Sequence, residues 1–132
     1  MTLVVDASVA VPACLSSAGF SVLADDDLVA PPLLWSEARS ALHELAWRGE
    51  ITAGDGEEAR DALEEAPIRR ADDERLGIEA WRIADAFGWA KTYDAEYVAL
   101  AIRLGCRLAT LDARLRRGAD RLGIVVLVDE LA

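Results

Sequence analysis

Four carboxylates define the chemistry this sequence can perform. Asp6 follows the apolar run Leu3-Val4-Val5, and Asp112 follows the run Arg107 to Leu111. Asp94 falls in the first turn of a helical stretch opened by Thr92, and Glu37 stands near the start of another that begins at Leu33. In an open parallel sheet, ligands bind beyond the C-terminal ends of the strands. Asp6 and Asp112 would project from that edge, and a helix running back along the sheet begins there too, which brings Asp94 and Glu37 to the same crevice. Taken singly, each acid reads as a helix cap or a surface charge; several at strand ends weigh against that. Converging carboxylates raise one another's pKa unless a cation neutralises them. Hard oxygen ligands select Mg²⁺ or Mn²⁺ rather than zinc. Such an ion suits in-line attack on a phosphodiester, because it acidifies the attacking water and neutralises charge on the phosphorus and the leaving oxygen. Ser8 and Thr110, each two residues from an acid, are placed to hydrogen-bond the ion's water or to orient a carboxylate.

The elements that must hold these acids follow from apolar spacing and punctuation. Leu3 to Val5 reads as a strand, and Ala7 to about Leu15 as a short helix that accommodates Pro12 if it lies in the first turn. Phe20 to Ala24 is a further short segment, and Leu28 to Ala30 an edge strand stopped by Pro31-Pro32. Over Leu33 to Arg48, Leu34, Ala38, Ala41 and Leu45 form one helical face, with Gly49 as the stop. Thr52 to Ala66 is a second amphipathic helix, and Pro67-Ile68 a short strand. Asp72 or Asp73 caps a third helix ending at Phe87 and Gly88. Thr92 caps a fourth, ended by Gly105. Arg107 to Leu111 is a strand, Ala113 to Arg117 a short helix, and Ile124 to Val128 a fully apolar strand. Strands that are continuously apolar and separated by helices specify a parallel sheet covered on both faces. The expected fold is α/β, in three layers, as a single domain over 1–132.

Composition narrows the partners. With 24 acids against 14 Lys and Arg, the net charge is −10, which argues against a general nucleic-acid coat, since phosphate binding is driven by cation release. The charge is uneven, however. Residues 48–85 hold 12 acids and 6 arginines, whereas 103–121 hold 6 arginines against 2 aspartates. Arg114, Arg116, Arg117 and Arg121 are therefore candidates for contacts to a phosphate backbone. No apolar run reaches the ~20 residues of a membrane span. The N-terminus lacks a basic segment and is interrupted by Asp6, so it does not read as a signal peptide. Cys14 and Cys106 lack metal-type spacing and read as core thiols of a cytoplasmic protein.

The pieces VVDASV around Asp6, PPLLWSEARSAL around Glu37, TYDAEYVALAIRLG around Asp94 and LATLDARL around Asp112 resemble, in order and spacing, the PIN domain. Within it they resemble the VapC toxins of type II toxin–antitoxin pairs. The resemblance covers essentially the whole chain. It implies a three-layer PIN-like fold and a Mg²⁺-dependent endoribonuclease held inactive by a cognate antitoxin protein. It also implies a homodimer, and an acidic quartet of Asp6, Glu37, Asp94 and Asp112. Asp6, Asp94 and Asp112 are the metal ligands by this carry-over, with Asp6 and Asp94 foremost. Glu96 departs from the pattern, which has an apolar residue there, and reads as a solvated helix position or an extra acid at the edge of the site.

Rival chemistries fit less well. A phosphoacceptor receiver domain needs a lysine after a late strand, but the single lysine, Lys91, precedes a helix. An aspartyl-nucleophile phosphatase needs a second acid two residues after the first, where this chain has Ser8. A PIN fold kept as a binding module without catalysis is the remaining alternative, and the intact quartet speaks against it. His43 reads as a surface or dimer-facing residue. Trp35, Trp47, Trp81 and Trp89 read as core or interface, with Trp89 the candidate for a partner contact.

Overall fold

The computed structural model describes residues 1–131; Ala132, the last residue of the expected domain, lies outside the described residues. Five parallel strands form one sheet. They are β1 (Thr2–Val5), β2 (Asp27–Ala30), β3 (Ile68–Arg70), β4 (Arg107–Thr110) and β5 (Val125–Leu127), in the order β3-β2-β1-β4-β5. The helices between them are α1 (Ala7–Leu15), α2 (Leu33–Trp47), α3 (Ala53–Glu64), α4 (Leu76–Phe87), α5 (Tyr93–Leu104) and α6 (Ala113–Gly118). The α/β class and the three-layer arrangement expected from the pattern are what the chain adopts.

The order of the strands creates the site. From β1 the chain steps outward to β2 and β3, then returns to β4 and steps the other way to β5. Crossovers between parallel strands are right-handed, so connections stepping in opposite directions cover opposite faces. That puts α1, α2 and α3 on one face and α4, α5 and α6 on the other. Between β1 and β4 the connections diverge, leaving a crevice above their C-terminal ends, the place where open α/β sheets bind ligands. The core below it is apolar and buried. Val4, Val5, Val29, Leu34, Leu108 and Val98 are fully buried along the sheet and its flanking helices.

Several local expectations are corrected. β2 is interior, flanked by β1 and β3, and β3 is the edge; a four-residue apolar run looks the same in either place. Pro12 is the sixth residue of α1, beyond the first turn. Its missing N–H costs the bond to Ser8 carbonyl, and α1 persists because Asp6 caps it and Val9 and Ala10 are buried. α4 begins at Leu76 with Arg75 as its N-cap, and Asp73 acts earlier by accepting from the Arg75 N–H at 2.9 Å. Thr92 occupies the N-cap of α5 without a side-chain cap bond, so the start of that helix is favoured by Asp94 and Glu96 in its first turn. Trp47 and Trp81 are exposed, at 80% and 65%, and do not belong to the core. Cys14 and Cys106 are free and only half-buried.

Candidate active site

Asp6 is the single residue between β1 and α1. Its extended backbone points the carboxylate along α1, where Oδ1 accepts from the Val9 N–H at 3.3 Å. The side chain is only 5% exposed, and both oxygens are engaged. Ser8 Oγ donates to Oδ1 and Thr110 Oγ1 donates to Oδ2, each at 2.6 Å. The same hydroxyls then accept from the next strand's connection. Leu111 N–H donates to Ser8 Oγ at 2.8 Å, and Asp112 N–H donates to Thr110 Oγ1 at 3.0 Å. Thr110, fully buried, thus links the Asp6 carboxylate to the backbone that carries Asp112. The orienting role expected of Ser8 and Thr110 has a specific geometry here.

Asp112 caps α6, with Oδ1 accepting from Arg114 and Leu115 N–H groups. Arg114 Nε lies 3.8 Å from the same oxygen. Asp94 stands in the first turn of α5 and is near enough to both Asp6 and Asp112 for their charges to act on one another. Glu37, in the second turn of α2, is held from across the crevice. Tyr97 Oη donates to Glu37 Oε1 at 2.5 Å. Tyr97 is 1% exposed and lies on α5 three residues after Asp94, hence on the same helical face. Tyr97 was not among the residues expected at the site; the signal for it in the sequence is a phenol inside an otherwise apolar helix stripe.

The electrostatics are those of an uncompensated cluster. Burial pushes the Asp6 carboxyl up against the three hydrogen bonds that favour its charge, and Asp94 adds to the rise. Burial also raises Glu37, opposed by the Tyr97 bond and assisted by Asp94 and Glu96. Asp94 is raised by burial and then by Asp112, with Arg114 in opposition; its side chain reaches solvent, yet protein walls enough of it for burial to lead. Glu96 is half-buried and raised by burial. It therefore belongs electrically to the site edge, beside Glu37. The Tyr97 phenol is raised well out of its ordinary range by burial and by Glu37, so it stays a donor.

Among the described residues, Asp6, Glu37, Asp94 and Glu96 form no ion pair. An all-oxygen donor set, net negative and without a paired Lys or Arg on three of its four members, fits a hard divalent cation. In the present side-chain arrangement no three His, Cys, Asp or Glu side chains among the described residues stand close enough to share an ion. Glu37 is drawn to Tyr97, and one oxygen of Asp112 is committed to α6.

The arginines expected at RNA separate into two kinds. Arg114 is exposed beside Asp112, and Arg117 is exposed without an ion-pair partner among the described residues. Arg116 is instead committed to Asp120 and to Glu130, the latter at 3.1 Å, because the acids of the C-terminal segment fold back on it. Arg121 lies over the Phe87 ring, 4.0 Å from its centroid, and donates to Ala86 carbonyl. His43 is exposed on α2, as expected.

Residues 3–121 match the PIN domain family. The chain belongs to it. It is 37% identical over 114 residues to VapC ribonuclease Mb0985 of Mycobacterium bovis and to ribonuclease VapC9 of Mycobacterium tuberculosis, alignments that cover 86% of this chain and 87% of each relative. At that identity and coverage the chain is placed with the VapC proteins within the PIN family. PAE2754 from Pyrobaculum aerophilum has the same fold, with a TM-score of 0.78 at 24% identity over 99% of this chain and 86% of that one. The PIN fold explains why the acids come from four separated segments: its sheet order places β1 and β4 side by side.

The raised carboxyls of this PIN-family site make a prediction about stability. A carboxyl whose folded pKa is raised holds its proton more tightly in the folded protein, so the stability it contributes is full at acid pH and is lost as pH rises through the folded value. Glu130, held below the usual range by its hydrogen bond to Arg116, works the other way. Comparing wild type with Glu37→Gln cancels that opposing effect, and the amide oxygen still accepts from Tyr97. Urea midpoints for the pair should coincide near about pH 4 and separate by about pH 7, with the variant more stable. A wild type that is the more stable of the two at neutral pH would contradict the raised Glu37.

Proposed function

We propose that this chain, as one PIN domain over 1–132, is the toxin of a type II toxin–antitoxin pair. In this reading it is an endoribonuclease that hydrolyses RNA phosphodiester bonds with Mg²⁺, or Mn²⁺ in its place, and is inhibited by a cognate antitoxin protein. The observation that carries the reading is the buried Asp6. It lies at the crevice between β1 and β4, fixed on both oxygens, with Asp94 and Asp112 nearby and no cationic side chain among the described residues paired with it. The names of the VapC relatives, which call those proteins ribonucleases, support the substrate class.

Asp6, Asp94 and Asp112 would hold the ion, with Glu37 completing the acidic quartet. When bound, the ion supplies acidification of the attacking water and neutralisation of the leaving oxygen. The chain's own contribution is positional. Ser8 and Thr110 fix the plane of the Asp6 carboxylate, and Thr110 sets the height of Asp112 beside it. Tyr97 holds Glu37 by Oε1 and favours its charge against burial, which suits Glu37 to accept a proton or a water hydrogen bond at the rim. Arg114, next to Asp112, meets a phosphate oxygen, and Arg117 extends that contact. We further propose a homodimer acting in the cytoplasm; no helix of the described residues is long and apolar enough to cross a membrane.

Purified protein incubated with total cellular RNA should cleave it when Mg²⁺ is present and stop when EDTA is added. Co-purified antitoxin should suppress the same cleavage. Cleavage that persists in EDTA would overturn the metal-dependent reading.

A further inference from the structure

We propose that Arg70, lying on the face of Trp35, is a seat for a phosphate of single-stranded RNA flanking the one that is cut. The inference rests on the ribonuclease reading above and adds to it a substrate contact on the side of the acids away from Arg114.

Arg70 is the last residue of β3, and because the sheet is parallel it emerges at the same edge as Asp6 and Asp112. The register fixes its height. Arg70 pairs with Ala30, and Val29 pairs with Val4, so Arg70 is level with Val5, the residue before Asp6. Two strand spacings separate them, about 10 Å, a short step along an extended nucleic-acid strand laid across the strand ends. Arg114 stands on the other side, beside Asp112. A strand crossing the acids would meet a cation before and after them.

The state of the Arg70 side chain sets it apart. Its guanidinium carbon is 4.4 Å from the centroid of the Trp35 ring, and Trp35, 7% exposed, is a fixed platform within the core. Arg70 itself is exposed and makes no ion pair or side-chain hydrogen bond among the described residues. Seven of the 13 arginines are ion-paired among the described residues. Arg69, one residue earlier, is bound to Asp27, Arg39 to Glu64, and Arg103 to Asp73 and Glu79. An arginine left without a carboxylate at the active edge, and held flat on an indole, keeps its in-plane N–H donors free and pre-oriented. That fork matches two oxygens of a phosphate, and the stack has already removed much of the side-chain freedom that binding would cost. An acidic peptide would find the same fork, but would have to lay its carboxylates against Asp6 and Asp94, whereas an RNA strand presents there the group the centre cleaves.

The test uses an Asp94→Asn background, so that RNA is bound and not consumed. The probe is a fluorescein-labelled single-stranded RNA of mixed sequence, about 20 nucleotides long, followed by anisotropy from about 50 to 200 mM NaCl. Adding Arg70→Gln should weaken binding about three- to tenfold and lower the slope of log K against log salt by about 0.7, the loss of one phosphate contact on a single strand. Arg70→Lys should keep the slope and recover only part of the affinity, since it keeps the charge and loses the flat fork. Thermal midpoints of both should stay within about 5 °C of the background protein, because Arg70 is exposed and a cation stacked on a ring at an exposed site stabilises only weakly. If the background protein binds RNA and Arg70→Gln leaves affinity and slope unchanged, the seat is overturned while the ribonuclease reading stands. If wild type does not cleave and the background protein does not bind, the ribonuclease reading falls and the seat with it.

Discussion

Asp94→Asn is expected to abolish divalent-dependent RNA cleavage, by on the order of a thousandfold, and to leave a protein that unfolds at a higher temperature than wild type. Residues that only orient a metal's ligands cost roughly 10–100-fold when changed, so removing a ligand should cost more. The gain in stability follows from the electrostatics. Asp94 is raised by burial and by Asp112, with Arg114 opposing. Its position in the first turn of α5 favours a negative charge by about 0.3–1 kcal/mol, but the raised pKa says that burial and repulsion prevail. Asparagine keeps the shape and drops the charge. Activity is measured on total RNA with Mg²⁺, and stability by thermal unfolding in EDTA. An Asp94→Asn protein that cleaves within tenfold of wild type would remove Asp94 from the metal site, and one that is plainly less stable would contradict the raised Asp94 carboxyl.

Thr110→Val is the second large effect. The two side chains have nearly the same shape, so the change isolates the hydroxyl. In wild type that hydroxyl donates to Asp6 Oδ2 and accepts from the Asp112 N–H, fully buried. Valine leaves a buried carboxylate oxygen and a backbone donor without their partner, which costs on the order of 1–3 kcal/mol for each group left unsatisfied in a dry site. Since Asp6 then loses one of the bonds favouring its charge, cleavage should fall roughly 10–100-fold, with the apparent demand for Mg²⁺ increased. Thr110→Ser keeps the hydroxyl and should restore most of both. If valine and serine behave alike, Thr110 serves only to fill space.

Much of this arrangement was legible in the sequence, for a local reason. Leu3-Val4-Val5 can be little other than a buried strand, and an acid directly after it must emerge at the C-terminal edge. The same reasoning fixed Asp112 after β4 and, through helix direction, Asp94 and Glu37. What sequence reading missed is non-local. The Tyr97–Glu37 bond and the Arg70–Trp35 stack each join segments whose meeting depends on the order of strands, and an apolar run does not encode that order. Interior β2 read as an edge strand for the same reason. The commitment of Arg116 to Glu130 was likewise invisible, because the run of arginines after Asp112 gives no sign that the C-terminal acids return to it. Thr92 and the Asp72-Asp73 pair were misjudged more locally. Each has a capping side chain in a plausible place, and the backbone chose another residue or none.

The acids are mounted almost without loops. Asp6 alone separates β1 from α1, Leu111 and Asp112 alone separate β4 from α6, and Pro31-Pro32 alone precede the helix that carries Glu37. Loop length is the usual means by which an α/β scaffold acquires new ligand preferences, and the connections beside Asp6, Asp112 and Glu37 leave none to lengthen without displacing a carboxylate; the longer connections, residues 71–75 and 88–92, lie outside those three. Around those three acids, diversification of such a nuclease is therefore left to its rim, by exchange of side chains such as Glu96, Arg114 and Arg117 at constant backbone. Anyone seeking to redirect its choice of RNA should randomise those positions and leave every connection at the acidic edge at its present length.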